Sequence, residues 1–418
     1  MPEFLITVLK IIIPFAIIFT FVPLLVWLER KGSAYIQDRP GPNRAAILGI
    51  RLGGLIHPIA DVVKLIFKED ICPSQANKFY YIAAPFIALS VACVTFMVIP
   101  FASPYVLDGQ TVTFQAAQLN VGVLYILAMT SLSVYGIMLA GWSSNNKYAL
   151  LGGLRSSAQM VSYELAMGLA LIPLIMWSGS LSLNDIVTLQ TSHIWRWNFI
   201  YEPLACIIFI IAAFAETNRT PFDLPEGESE LVAGYHVEYS SLKFAMFFMA
   251  EYVNMVIASA LIVTLFFGGW QIPFLPTETL RDNAQMILNI VLALFALFST
   301  IVGVFLILKF KKRIYGDKRD YEVIVLGIPA VLVGFVLILF LLFVGKIPLS
   351  TTAGLWITAL LQIGMFLFKT LFMCWVFIWV RWTVPRIRYD QLMNLGWKIL
   401  LPLAMVNIVI TAVRMVLQ

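Results

Sequence analysis

Ionisable chemistry is concentrated between residues 216 and 254. A loop there carries Glu216, Asp223, Glu226, Glu228, Glu230 and Glu238, with Arg219 as its only strong base. Carboxylates this close are expected to titrate as a coupled group, some with raised pKa, because each ionised neighbour disfavours the next. That suits proton handling; a solvated loop that merely carries charge is the plainer reading of the same residues. The apolar segment that follows contains Glu251, about 12 residues past Tyr239, or roughly 18 Å along a helix. Glu164 stands in another apolar segment, about two turns from its expected inner end, at a depth of roughly 10–12 Å. A charge so deep in lipid costs about 2.5–3.5 kcal/mol, so such residues face cavities and mark ion or proton paths. The alternative for each is a neutral carboxyl hydrogen-bonded for packing. Lys369 is a third intramembrane candidate, which could equally snorkel or pair structurally.

A second pattern lies in residues 29–78. RPGPNR at 39–44 is turn chemistry. Beyond it Leu52, Leu55, Ile56, Ile59, Val63 and Ile66 recur at helical spacing on one face, with His57, Asp61, Lys64 and Lys68 on another. This predicts an amphipathic helix at the membrane surface, bent or started by Pro58. It is either a surface anchor or a gate through which an amphiphile slides from lipid into the protein. In the second case Asp61 and Lys64 would meet its polar head.

The elements that must position these groups follow from composition. The 418 residues are 61% hydrophobic and 12% charged, against about 25% charged in soluble domains, and the mean hydropathy is +0.89. Long apolar runs without β-barrel alternation predict an all-α polytopic membrane protein. Ten spans are expected, at roughly 4–28, 79–101, 119–141, 158–178, 200–215, 239–268, 284–308, 323–345, 355–380 and 396–416. Residues 29–78, 142–157, 309–322 and 381–395 hold most of the loop Lys and Arg. Ten spans with both termini outside place all of these in the cytoplasm, and the acidic loop with them. The first run is followed by Glu29, Arg30 and Lys31 rather than a cleavage site, so it reads as a retained helix. Glu202, at the outer end of the fifth span, reads as interfacial and structural. Arg381, Arg386 and Arg388, with Asp390, read as topology determinants, a docking surface or counter-charges for the acidic loop.

Cys72, Cys93, Cys206 and Cys374 are scattered, without a CxxC pair, and His57, His193 and His236 lie outside the span interiors. Neither an iron–sulfur cluster, a haem ligated by paired histidines, a metal site nor a nucleotide loop is expected. If the chain takes part in redox chemistry, a partner must supply the electrons. Nothing points to nucleic acid.

The strings WLERK (27–31), RPGPN (39–43), IADVVKLIFKED (59–70), GLRSSAQMVSYE (153–164), AETNRTPFDLPEGESELVAGYHVEYS (215–240), FFMAEYVN (247–254) and WVRWTVPRIRYDQLMNLGWKILLP (379–402) resemble one membrane-subunit family. It is the family called subunit 1 in mitochondria and the H subunit in bacteria, of the proton-pumping NADH–quinone oxidoreductase, respiratory complex I. The strings cover nearly every inner loop in family order.

The resemblance implies a membrane-arm subunit of a bacterial inner-membrane complex, set against the quinone-reducing peripheral arm. It implies that positions Glu29, Arg30, Arg39, Asp61 and Lys64 lie in or beside a quinone tunnel. Glu164, Glu216, Asp223, Glu226, Glu228, Glu230, Glu238 and Glu251 would belong to the proton path. Arg155, Arg219, Arg386, Arg388 and Asp390 would pair with those carboxylates or with partner subunits. The chain itself would bind no cofactor. FMN, NADH and iron–sulfur clusters would sit on partners, including the terminal iron–sulfur subunit, with other membrane-arm subunits and lipid as further neighbours. The usual member has about eight spans. Residues 284–345 are therefore expected to form an added two-helix hairpin at the periphery, between core segments 1–283 and 346–418. Competing readings are the homologous subunit of a membrane-bound hydrogenase or ferredoxin-dependent complex, and a stand-alone transporter, which would be expected to show internal repeats.

Overall fold

Apolar runs this long satisfy their backbone groups only as helices, and helices dominate the structure, a computed structural model that describes residues 3–47, 49–107, 110–224, 227, 231–310, 321–343 and 350–417. The principal helices are α1 (Glu3–Ile36), α2 (Ile56–Phe67), α3 (Lys78–Thr95), α4 (Gly122–Ser143), α5 (Lys147–Ser178), α6 (Pro203–Glu216), α7 (Ser241–Phe266), α8 (Ala284–Phe310), α9 (Tyr321–Phe343), α10 (Thr351–Thr383) and α11 (Tyr389–Leu417). Among the described residues nine are long and apolar enough to cross a membrane. The fifth expected span, α6, has only 14 residues, and Pro203 opens it. The one sheet among the described residues is a hairpin of Tyr105–Leu107 with Gln110–Val112.

Two helices run further than their hydropathy suggests. The first continues through Glu29, Arg30 and Lys31 to Ile36. Those charges do not end it because Glu29 and Arg30 find opposite charges on other segments. The fifth starts at Lys147, where the Asn146 side chain caps it by accepting from the Tyr148 amide. Residues 147–157 look like loop because they include Lys147, Arg155 and two glycines. Gly152 and Gly153 are helical because they let α5 press on neighbouring backbone: a Cβ on Gly152 would stand 2.7 Å from Gly234 Cα. Glu164 therefore lies about 17 residues, or roughly 25 Å, from the helix start rather than two turns in.

The most buried span is α7, packed chiefly against α3, α10, α1 and α2. Pro58 falls in the first turn of α2, where its missing N–H removes no helical bond. Of the predicted apolar stripe only Ile56 is buried; Leu52, Ile59, Val63 and Ile66 are exposed, a face suited to lipid. The last helix contains a π turn at Leu395–Leu400, just after Tyr163 of α5 donates to the Leu392 carbonyl.

Within 284–345, α8 and α9 form a tight pair, closed on Gly303, Gly327 and Gly334. Outside the pair its main contacts are with α10 and the short helix Thr277–Asp282. Glu322 also accepts from the Arg51 amide at 3.1 Å. Residues 311–320 of the basic turn, and Glu226, Glu228 and Glu230, lie outside the described residues.

Candidate functional site

Gln159 of α5, an uncharged polar residue on an apolar helix, fixes the start of the acidic loop. Its buried amide donates to the Ala215 and Phe222 carbonyls and to Asn218 Oδ1 at 2.7–3.1 Å. Asn218 in turn donates to Ser156. Three residues after the loop's first carboxylate, this clamp delivers Arg219 into the bundle, 4% exposed.

Arg219 meets Glu29 of α1, itself 7% exposed. Arg219 Nη1 lies 3.2 Å from Glu29 Oε2, the Tyr252 hydroxyl donates to the same oxygen at 2.8 Å, and Arg381 of α10 pairs with Oε1. The Arg219 guanidinium also stacks 4.1 Å from the centre of the Tyr252 ring, a favourable cation–π contact. One carboxylate thus joins α1, the acidic loop, α7 and α10. Beside it a cavity of about 150 Å³ is lined by Arg219, Thr220, Asp223, His236, Glu251 and Arg381, with Asn218 and three phenylalanines. Asp223 pairs with Arg386 at 2.8 Å, and the Ile387 amide donates to the Pro221 carbonyl, so the last inner loop is bound to the acidic loop.

Burial pushes the Asp223 carboxyl up to about 6; Arg386 opposes this and Glu251 adds to it. Burial wins over the ion pair because Arg386 is half exposed while Asp223 is not. Burial likewise holds His236 below the ordinary histidine value, against the pull of Glu251. Tyr235 donates to Glu251 at 3.1 Å.

Glu164 and Glu216 come together further into the bundle. Ser131 donates to Glu164, Thr130 and Glu216 line one cavity, and the two carboxylates are close enough to act on each other. Glu238 stands apart, accepting from Asn146 at 2.6 Å. In the first loop Arg30 and Asp61 form an ion pair, while Arg39 and Lys64 are exposed. Arg388 pairs only loosely with Asp390, at 3.7 Å on the surface, and Arg155 lies over the Tyr389 ring.

Tyr252, Gln159 and His236 do not stand out as site residues in the sequence, although each falls in a matched string; Arg381, read there as one possible counter-charge for the acidic loop, pairs with Glu29 of α1. Their signal is polarity on apolar or charged segments, which by itself does not say who meets whom. Glu202, at the N-terminal end of α6, is 2% exposed and accepts from Trp177, Asn407 and Thr411, with Arg414 at 3.5 Å. The last helix covers it. Lys369 donates to the carbonyls of Phe267, Gly269 and Gln271 at 2.7–3.1 Å and lies over Trp197, so every ammonium proton is used at the end of α7.

Nine long apolar helices and a buried charge cluster at one end define a multi-pass membrane protein with a polar site set between its helices and loops. Comparison narrows the class. The NADH dehydrogenase family model matches residues 9–315 and 319–412. The chain is 46% identical over 396 residues to the H subunit of the NADH-quinone oxidoreductase of Salinibacter ruber, 94% of this chain and 91% of that one. It is 45% identical over 410 residues to an H subunit of the same enzyme from Solibacter usitatus, 97% and 96% of the two chains, and 45% identical over 395 residues to subunit 8 of the enzyme from Rhodothermus marinus, 94% and 92%. The chain belongs to the family of NADH–quinone oxidoreductase H subunits, and is thus a membrane subunit of an oxidoreductase complex. The family match runs through both hairpin helices, and these relatives are about as long as this chain.

Proposed function

We propose that this subunit forms part of the quinone access route and binding site of its complex, and passes the charge of the reacting quinone to a proton path. The observation that carries the reading is the Glu29–Arg219–Arg381 cluster. Glu29 belongs to the group of positions assigned by resemblance to the quinone tunnel, and Arg219 sits within the acidic loop. A single buried carboxylate therefore ties the two groups.

The electrons come from partner subunits that hold the redox centres. Reducing a quinone to the quinol takes two electrons and two protons. While charge exceeds protons, the anionic intermediate raises the proton affinity of nearby carboxylates and attracts the guanidinium groups of Arg219 and Arg381. At about 10 Å and an effective dielectric of about 20, one unit charge is worth about 1.7 kcal/mol, a little over one pKa unit. That is enough to reprotonate a group poised like Asp223. From the cavity edge at Glu251 and Asp223, the next carboxylates inward are Glu216, beside Thr130, and Glu164, bonded by Ser131. The protein sits in the bacterial inner membrane with the acidic loop on the cytoplasmic side.

The test is Glu216→Gln, with quinone reduction and proton pumping measured on the same membranes. Pumping should fall at least tenfold, and quinone reduction with it if the steps are tightly coupled. Wild-type values for both would sink the coupling scheme.

A further inference from the structure

In the first inner loop, His57 of α2 takes two hydrogen bonds on one atom. Its Nε2 lies 3.1 Å from the backbone nitrogens of both Arg44 and Ala45. A backbone amide can only donate, so Nε2 carries no proton in this arrangement. The RPGPNR strap is thereby bound to α2, beside the ion pair of Arg30 with Asp61 and the bond from Trp27 to the Gly53 carbonyl. Lys31 donates to the Pro40 carbonyl from the other side. The His57 contact is the one of these that protonation abolishes outright, because an imidazolium turns the acceptor into a third donor.

We propose that His57 is a positioning residue for the quinone route. Neutral, it holds the strap at residues 44–45 against α2; protonated, it releases it, so that quinone capture weakens as the cytoplasmic side acidifies. This rests on the access-route reading above. Histidine is the side chain suited to such a change between about pH 5 and 8. The charged groups around the strap are mostly bases: Arg30 and Lys31 from α1, Arg44 and Arg51 from the loop, and Lys64 on α2 itself. Asp61 is engaged by Arg30, Asp70 by Lys243 of α7, and Glu322 of α9 accepts from the Arg51 amide. A proton on His57 would therefore enter a net positive neighbourhood and add to the repulsion that opens the strap.

The experiment compares the assembled complex carrying wild-type chain, His57→Gln and His57→Leu. A glutamine carbonyl can accept both amides and cannot ionise; leucine can do neither. Two readouts are taken at pH 8 and pH 6: the quinone KM against kcat, and hydrogen exchange at the amides of 44 and 45, corrected for the intrinsic effect of pH. Wild type should lose protection at pH 6 by about threefold to fourfold, with KM rising by up to the same factor at nearly constant kcat. His57→Gln should be protected, with a flat KM. His57→Leu should be unprotected, with a raised KM, at both values. Equal protection in His57→Leu and wild type at pH 8, or a KM that still rises on acidification in His57→Gln, overturns the proposal. Exchange that follows the scheme while KM stays constant in all three chains would instead refute the access-route reading of this loop.

Discussion

Glu29→Gln is the most demanding test of the site. The wild-type carboxylate serves two guanidinium groups and a tyrosine hydroxyl, while 7% exposed. Removing one partner of a buried ion pair costs about 3–5 kcal/mol, because the other charge stays buried uncompensated. The Gln carbonyl retains one neutral acceptor, worth about 1 kcal/mol, leaving a loss of about 2–4 kcal/mol. Asp61→Asn is the matched control: the Arg30–Asp61 pair is 42% exposed on each side, and such pairs are worth about 0–1 kcal/mol. In membranes holding the assembled complex, Glu29→Gln should lower the midpoint for thermal loss of quinone reduction clearly, and Asp61→Asn hardly at all. There is an electrostatic consequence too. The variant leaves Arg219 and Arg381, which both act on Asp223, without the carboxylate that offsets them, so the Asp223 value of about 6 should fall, by up to about one unit. Because that value lies above the ordinary 3.8, the fold favours protonated Asp223. The stability it adds is complete below about pH 4 and is lost as pH rises through 6. In Glu29→Gln that loss should begin at the same pH, be smaller, and be complete at a lower pH. Equal thermal midpoints for Glu29→Gln and Asp61→Asn would refute the claim that this cluster is the electrostatic centre of the site.

Two further substitutions probe what supports the site. Gly152→Ala puts a methyl group 2.7–2.8 Å from Gly234 and the Tyr235 amide; it should destabilise by about 1–3 kcal/mol and disturb the Tyr235–Glu251 contact, read as impaired assembly and pumping, whereas Gly168→Ala, with open space around it, should do neither. Lys369→Met leaves three carbonyls without their donor and should lower thermal stability by roughly 1–3 kcal/mol, while the pH profile of quinone reduction keeps its shape; a changed profile would place Lys369 in the proton path instead.

Hydropathy alone was enough to locate the helices, because the requirement that every backbone group be satisfied in lipid admits few solutions. It placed ends poorly wherever charge was neutralised by a distant partner. Glu29 and Arg30 look like a stop only until Arg219 and Asp61 arrive from far along the chain. Arg155 and Lys147 hid the first three turns of α5 in the same way. The acidic loop and the charged positions of residues 29–64 were legible as two groups, from types and spacing and from the family strings. Their junction was not, since it depends on which helix faces bring Glu29, Arg219 and Arg381 together, and periodicity on single helices contains no such information. Glu202, read as structural from its place at a span end, has partners on the last helix that no local pattern could name.

The two ends of the bundle handle buried charge differently, and that difference says where change is possible. At the end away from the acidic loop, the ammonium of Lys369 donates to three carbonyls and Glu202 accepts from three side chains and faces Arg414. Such sites are saturated, and moving a proton or a charge there breaks bonds without making any. At the other end, four of the nine buried side-chain atoms lacking a hydrogen-bond partner among the described residues belong to three residues of the acidic loop: Nε and Nη2 of Arg219, Oγ1 of Thr220 and Oδ1 of Asp223. All three residues line the cavity. A guanidinium and a carboxyl that face a cavity can change partner or proton without first breaking a bond inside the protein, so an arriving anion or proton finds room at this corner. The coupling proposed above requires an element whose charge arrangement can change, and the Arg219–Asp223 corner, which faces a cavity, meets that requirement while Lys369 and Glu202 do not.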